Sequence, residues 1–493
     1  MSVHTGLPSL IGPQGEFDAS AVRRRVDALA SRTQECIENG ACAGAVIALL
    51  ADNGKDWLIA DRAVRQVGAV LLPLPTFFTD DQCRHALDAA GVRLLMTDDP
   101  LRAHRLGRDE DSLLTTGRLT LFRGPVRPAR ALPPATAKIT FTSGTTGQPK
   151  GVCLSADQLA AVSGSLAGIA RELGIRRHLC MLPLAVLLEN VAGADTAWLA
   201  GAQCIVPPLA EVGLTGSSRF DVRVALAALE RWQPDSLILL PQMLTALVAA
   251  VDAGLPAPRG LKLVAVGGAR VSPDLITRAR ALGIPACEGY GLSEAGSVVA
   301  LNLPDDPPGA VGRVLPHLTV SLSARGEILV DGPRLPGYLG APALPDAPFP
   351  TGDIGHLDAE GRLHVTGRLK HQIITSFGRN VSPEWPEAEL LAAPEIAQVV
   401  VFGEAQPALS AVIVPRGDIS DAVLDAAVDA ANARLPDYAR IGIRLRADAP
   451  FSPANGLATD NGRVRRDAVW AHYGERLAVL YAHAYGVPEH VVS

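Results

Sequence analysis

Lysine is scarce in this chain. Its 493 residues include five (Lys55, Lys138, Lys150, Lys262, Lys370), although Lys and Arg together number 45. Basic residues are not in excess either, since 45 stand against 51 Asp and Glu for a formal net charge of -6. No domain-wide positive excess is available to neutralise a phosphate backbone, which argues against nucleic acid as the main partner. The seven cysteines, at 36, 42, 83, 153, 180, 204 and 287, form no C-x-x-C pair, and the closest two are six apart. No His/Cys group has zinc spacing, and an odd, scattered set fits a reducing compartment. The start, MSVHTGLPSLIGPQGEF, lacks a basic segment followed by an apolar one, so no signal peptide is expected. The longest apolar run near the front, Ala41 to Ala51, is far shorter than the ~20 residues that span a bilayer. Internal repeats are missing too. The expectation is a soluble, cytoplasmic protein with no transmembrane segment, loose membrane contact being the one membrane association left open.

What is there reads as globular, at 48% hydrophobic and 19% charged. The length predicts two to four domains or subdomains. Helical and strand-like segments alternate, which predicts an α/β fold. Helices are expected at 19–38 and 61–70, with a turn at Asp52-Asn53-Gly54 between them. AVLLPLP reads as a buried strand, and HALDAAGVRLLMTD as a helix, a glycine turn and a strand. Similar units lie at 236–242, 261–268 and 284–291. From about Pro304 to Tyr338 short strands with Gly/Pro turns predict a β-barrel-like subdomain, followed by a Pro-rich loop at 341–350. Beyond Lys370 the pattern predicts a small α+β module of about 120 residues, with strands in AQVVVFG and ALSAVIVP and a helix near 419–434.

One stretch is unusual in composition. Residues 141–151, FTSGTTGQPKG, hold four hydroxyls, three glycines and one of the five lysines. That combination suits a phosphate: glycines let backbone N–H groups approach, hydroxyls donate, and lysine supplies a point charge. The loop follows the expected strand AKITFTS, at the carboxyl end where open α/β sheets bind ligands. It is not a Walker P-loop, which needs lysine directly after the second glycine. Here Gln148 and Pro149 separate Gly147 from Lys150.

The loop resembles the signature of the AMP-forming adenylating superfamily, which includes acyl- and aryl-CoA synthetases, nonribosomal-peptide adenylation domains and firefly luciferase. Four further motifs occur in that family's order: VGGA at 266–269, EGYGLSEAG at 288–296, TGDIG at 351–355 and GRLKHQIITSFGRNVSPE at 367–384. Together they cover the chain from roughly residue 45 to its end.

The resemblance implies ATP, Mg²⁺ and coenzyme A as cofactor and co-substrates, and a carboxylic acid as substrate. It implies a large N-terminal domain, 1–369, and a small mobile C-terminal domain, 370–493, hinged at Lys370. Thr142, Ser143, Gly144, Thr145, Thr146, Gly147 and Lys150 would hold the phosphates. Gly267, Gly268, Ala269, Gly289, Tyr290 and Gly291 would border adenine, and Ser293 keeps a hydroxyl where most relatives carry threonine. Glu294 is the expected Mg²⁺ ligand, since Mg²⁺ favours one or two carboxylates with phosphate oxygens and water. Asp353 would accept the ribose hydroxyls, Arg368 would reach ribose or phosphate, and Gly378 would border the pantetheine channel.

Two departures stand out. The family's C-terminal adenylation lysine is replaced by Arg463 in NGLATDNGRVRRDAV, and no lysine follows Lys370. In LPLAVLLENVAG the histidine common in fatty-acid-activating relatives is Val186, whereas their glutamate is matched by Glu189. Both residues are expected at the acid pocket. The expected acid is a medium- or long-chain fatty acid, transferred to CoA. The alternatives are transfer to a carrier-protein phosphopantetheine, and a catalytically idle nucleotide-binding relative.

Overall fold

The computed structural model describes residues 9–39, 46–108, 112–125, 130–142, 150–216, 219–333, 335–342, 344–345, 347–377, 379–459 and 462–485. Two large sheets organise the chain up to Arg368. The smaller is eight-stranded, with the parallel strands Val46–Leu50, Val70–Pro73 and Leu94–Thr97 at its centre. Thr136–Thr142 joins it parallel to Val70–Pro73, placing Leu71 opposite Lys138. Lys150–Ser155 returns antiparallel beside it, so the segment 143–149 bridges two adjacent strands. These central strands are near-continuous apolar runs because helices cover both faces.

The larger sheet has thirteen strands among the described residues. Its parallel part runs through Arg177–Leu179, Ser236–Leu239, Leu263–Val266 and Ala286–Leu292. There the direction changes. Ser297–Leu301, Gly312–Val314, Arg362–Arg368, Phe349–Leu357, Glu327–Asp331 and Thr319–Leu322 add on antiparallel. The short strands expected after Pro304 are therefore present, and they extend the parallel sheet.

The helix expected at 61–70 lies instead at Lys55–Gln66. It starts directly after the Asp52-Asn53-Gly54 turn because Trp57 and Leu58 belong to its buried face. It stops at Val67, before Gly68 takes a positive φ of 69°. Three side chains of this helix enter a buried ionic cluster. The Lys138 ammonium donates to Asp61 at 2.9 Å and also to Asn190. Arg65 bridges Asp61 at 2.8 Å and Asp195 at 2.9 Å, and Arg62 also pairs with Asp195. Burial works to raise the Asp61 carboxyl, but Arg65 and Lys138 hold it well below the usual range. Asn190 and Asp195 bound a π-helical turn, Asn190–Asp195, so the cluster ties that turn to the strand feeding the segment 143–149.

Beyond Lys370, Ile396–Phe402, Leu409–Pro415 and Ile441–Arg446 form a three-stranded sheet. The VVVF run is apolar throughout because both faces are covered. Val399 and Val401 pack toward the helix Asp421–Asn432, while Val400 and Phe402 pack toward the helix Arg466–Tyr485.

Candidate active site

The residues singled out from the sequence converge where the parallel sheet gives way to antiparallel strands. Gly267, Gly268 and Ala269 follow Leu263–Val266 as a tight turn, Gly267 donating to the Leu239 carbonyl at 3.2 Å. Gly289, Tyr290 and Gly291 lie on the next strand, which bulges between Tyr290 and Gly291. Only glycine fits at 291, since a Cβ there would stand 1.7 Å from the Ser297 carbonyl oxygen. The bulge turns the Tyr290 hydroxyl onto Asp353, to which it donates at 2.7 Å. On the other carboxylate oxygen, Arg368 Nε stands 2.8 Å away. Each oxygen keeps one lone pair for a ligand hydroxyl. Burial lifts the Asp353 carboxyl above its usual value, although Arg368 and the tyrosine hydrogen bond pull the other way.

Arg463 reaches the same place from the C-terminal module. Its hairpin closes through Thr459, whose hydroxyl accepts from the Arg463 N–H at 3.1 Å. The guanidinium is exposed, yet surrounding protein lowers its pKa, and Arg368 adds to that by repulsion. Glu384 and Asp353 attract it. Glu384 accepts from His371 Nδ1 at 2.7 Å, while its second oxygen is buried with no partner among the described residues. Burial pushes its carboxyl up, but the His371 bond, a backbone hydrogen bond and the charges of Arg466 and His371 together hold it below the ordinary value.

A second group gathers around Tyr338. Glu294 lies in the 3₁₀ turn Ser293–Ala295, whose carbonyl at Glu294 accepts from Gln158 at 2.7 Å. Its Oε1 accepts from the Tyr338 hydroxyl at 3.0 Å. The Lys150 ammonium is 6.0 Å from the centre of the Tyr338 ring. Tyr338 belongs to none of the motifs picked out above. Its signal is the short GYLG segment, which only the fold pairs with the lysine's strand, Tyr338 opposite Val152.

The remaining expectations divide. Lys370 is exposed in the turn Leu369–His371 at the start of the C-terminal module. Ser143, Gly144, Thr145, Thr146, Gly147 and Gly378 lie outside the described residues, as does the Thr142 side chain. Val186 is half-buried, and Leu188 and Leu240 approach Gly267 and Gly268, giving that end an apolar wall. Glu189 is a correction. It is fully buried and not at a pocket surface, accepting from the Met181 and Leu182 N–H groups at 3.0 and 2.8 Å and bonding His178 at 2.9 Å. Those bonds shape the loop 181–189 from beneath, as a buried carboxylate requires.

Residues 4–339 match the family described as AMP-binding enzyme, and residues 370–485 match its C-terminal domain. The chain belongs to this family of AMP-binding enzymes. Its class within the family is that of AMP-forming acyl- and aryl-CoA ligases, which use ATP, Mg²⁺ and CoA. It is 31% identical to an indoleacetate–CoA ligase of Aromatoleum aromaticum over 299 residues, 56% of either chain. A long-chain-fatty-acid–CoA ligase of Mycobacterium bovis is 26% identical, with 90% of this chain and 89% of that one covered. The fold matches o-succinylbenzoate CoA synthetase of Bacillus subtilis, solved with an acyl-adenylate intermediate, at a TM-score of 0.74 and 22% identity over 95% of this chain and 96% of that one. Among the described residues no helix is long and apolar enough to cross a membrane.

Proposed function

We propose that this chain joins an apolar carboxylic acid, foremost a medium- or long-chain fatty acid, to coenzyme A by way of an acyl-adenylate. What supports the reading is the contact of Tyr290 and Arg368 with Asp353, together with Arg463 of the C-terminal module, which feels the charges of Arg368 and Asp353. In the first step a carboxylate oxygen attacks the α-phosphorus of ATP, the bond to the bridging oxygen breaks, and pyrophosphate leaves. In the second, the CoA thiol loses its proton and adds to the acyl carbonyl, and AMP departs.

Two anions must meet in the first step, so cations and donors aimed at oxygen govern its barrier. Lys150 serves the outer phosphates. Arg463 bridges the acid carboxylate and the α-phosphate, with a planar fork in place of a compact ammonium. Asp353 and Tyr290 hold the ribose and Arg368 backs them. Glu294 fits Mg²⁺ as a hard oxygen donor, half-buried, with one oxygen free of partners among the described residues. Bound with the nucleotide, Mg²⁺ supplies charge neutralisation across the phosphate oxygens. Lys370 lies at the boundary between the two domains, 1–369 and 370–493, about which the smaller one turns. Val186, Leu188 and Leu240 favour an apolar acid.

The test is pyrophosphate release with ATP, Mg²⁺ and graded fatty acids, alongside aryl acids such as indoleacetate, with and without CoA. Acid-dependent release that rises with chain length is expected, and Arg463→Ala should lower it about 10²–10³-fold. A preference for aryl acids would replace the fatty-acid part of the reading. Full release from the alanine variant would remove Arg463 from the chemistry. AMP release that requires a holo-carrier protein and ignores CoA would change the acceptor.

A further inference from the structure

Lys150 and Glu294 carry opposite charges on the same side of the site, and Tyr338 stands between them. The phenol donates to Glu294 Oε1 at 3.0 Å, and the ring centre lies 6.0 Å from the Lys150 ammonium. Left alone, a flexible lysine and a neighbouring carboxylate form a direct ion pair. Such a pair would cancel the two charges an ATP–cation complex needs, one for the phosphates and one for the cation. A neutral phenol avoids this. It satisfies one carboxylate oxygen without charge and leaves the other open, and its π-face accommodates the ammonium at a distance.

The position is built to hold. Tyr338 is half-buried, its strand pairs with Lys150–Ser155, and the Leu339 N–H donates to the Gly151 carbonyl at 2.8 Å. A Cβ on Gly151 would come within 3.0 Å of the Leu339 Cβ, so the two strands are in close contact beneath the ring.

We propose that Tyr338 is a positioning residue that holds Glu294 apart from Lys150 and aims its free oxygen at the divalent cation carried with ATP. It touches neither substrate nor reacting atoms. The proposal rests on Glu294 being the cation's ligand, so the test contains variants of both residues. Manganese serves as the probe, its uptake by the protein–ATP complex read from loss of the free-ion paramagnetic resonance signal. Wild type, Tyr338→Phe, Tyr338→Leu and Glu294→Gln are compared, with thermal midpoints and cation-free ATP affinity measured on each.

Loss of a carboxylate's orienting partner typically weakens metal binding by 10–100-fold, so Tyr338→Phe should weaken manganese uptake about 10-fold. Its thermal midpoint and cation-free ATP affinity should match wild type. Tyr338→Leu should weaken it further, because lysine and glutamate then meet. Glu294→Gln should weaken it at least as much as Tyr338→Phe does. Weakened uptake in Glu294→Gln with unchanged uptake in Tyr338→Phe would overturn the proposal and leave the Glu294 assignment standing. Unchanged uptake in Glu294→Gln would overturn the assignment itself, and the proposal with it.

Discussion

Asp353 is buried with a partner on each carboxylate oxygen, Tyr290 at 2.7 Å and Arg368 at 2.8 Å. In its proposed role the carboxylate accepts from ribose hydroxyls, and a proton on it would remove one acceptor site and its charge toward Arg368. Burial raises its pKa, so protons compete for it at a higher pH than for an exposed aspartate. The sign follows: nucleotide affinity is complete above the raised pKa and falls as pH drops through it. ATP affinity titrated against pH should therefore show an acid limb above the ordinary aspartate range, absent from Asp353→Asn. An acid limb in the ordinary range would place the nucleotide's pH dependence elsewhere. At this scale Tyr290, Asp353 and Glu294 were legible because their motifs name them. Tyr338 and Glu384 were not, since Tyr338 matters through Glu294, 44 residues away, and Glu384 through charges that only the fold brings together. Glu189 misled for a related reason. A glutamate in an apolar run reads equally well as pocket wall or as buried acceptor, and only the two backbone donors of Met181 and Leu182 decide.

Among the elements, the strand Arg362–Arg368 carries the junction with the C-terminal module. A Cβ on Gly367 would lie 2.0 Å from Ser382 Oγ and 2.1 Å from its Cβ, with Glu384 Oε2 at 3.3 Å. The glycine thus lets residues 382–384 rest directly on the strand that presents Arg368. Gly367→Ala should push that contact open and slow acyl-adenylate formation, measured as acid-dependent ATP–pyrophosphate exchange. Adding Ser382→Gly should recover much of the loss, because the clash is with that side chain. If the double variant is no better than the single one, the glycine serves the strand and not the junction. Strand order was legible only where strands follow each other as βαβ units. The pairing of Gly337–Tyr338 with Lys150–Ser155 joins residues far apart in sequence and has no local signature. The onset of the helix at Lys55 was also hidden, because Trp57–Ala60 is a continuous apolar run that shows no helical period of its own.

For the molecule as a whole, polar contacts made by Arg434 and Glu389 help to hold the pose of the C-terminal module. Arg434 reaches Asp274 at 3.0 Å and Glu389 at 2.8 Å, and Glu389 also accepts from Ser272 at 3.1 Å. In this pose Arg463 feels the charges of Arg368 and Asp353. A half-exposed ion pair contributes under about 1 kcal/mol, so Arg434→Ala should slow adenylate formation by no more than about 5-fold. The thioester half-reaction, started from preformed acyl-adenylate and CoA, should be unaffected. Equal slowing of both half-reactions would mean that Arg434 supports stability and not this pose. A small contribution suits the proposed change of position of this module, since a strong lock would trap one state.

The scarcity of lysine has a practical consequence once burial is known. Lys55 and Lys138 are buried, and Lys262 is far from the site, its ammonium held near Asp235 at 3.5 Å. That leaves Lys150 and Lys370, both exposed, as the lysines at the candidate site and at the start of the C-terminal module. An amine-directed acylating label read by peptide mass spectrometry would therefore behave as a two-channel gauge. Protection at Lys150 would report occupancy by phosphate, and reactivity at Lys370 would report where the small module stands.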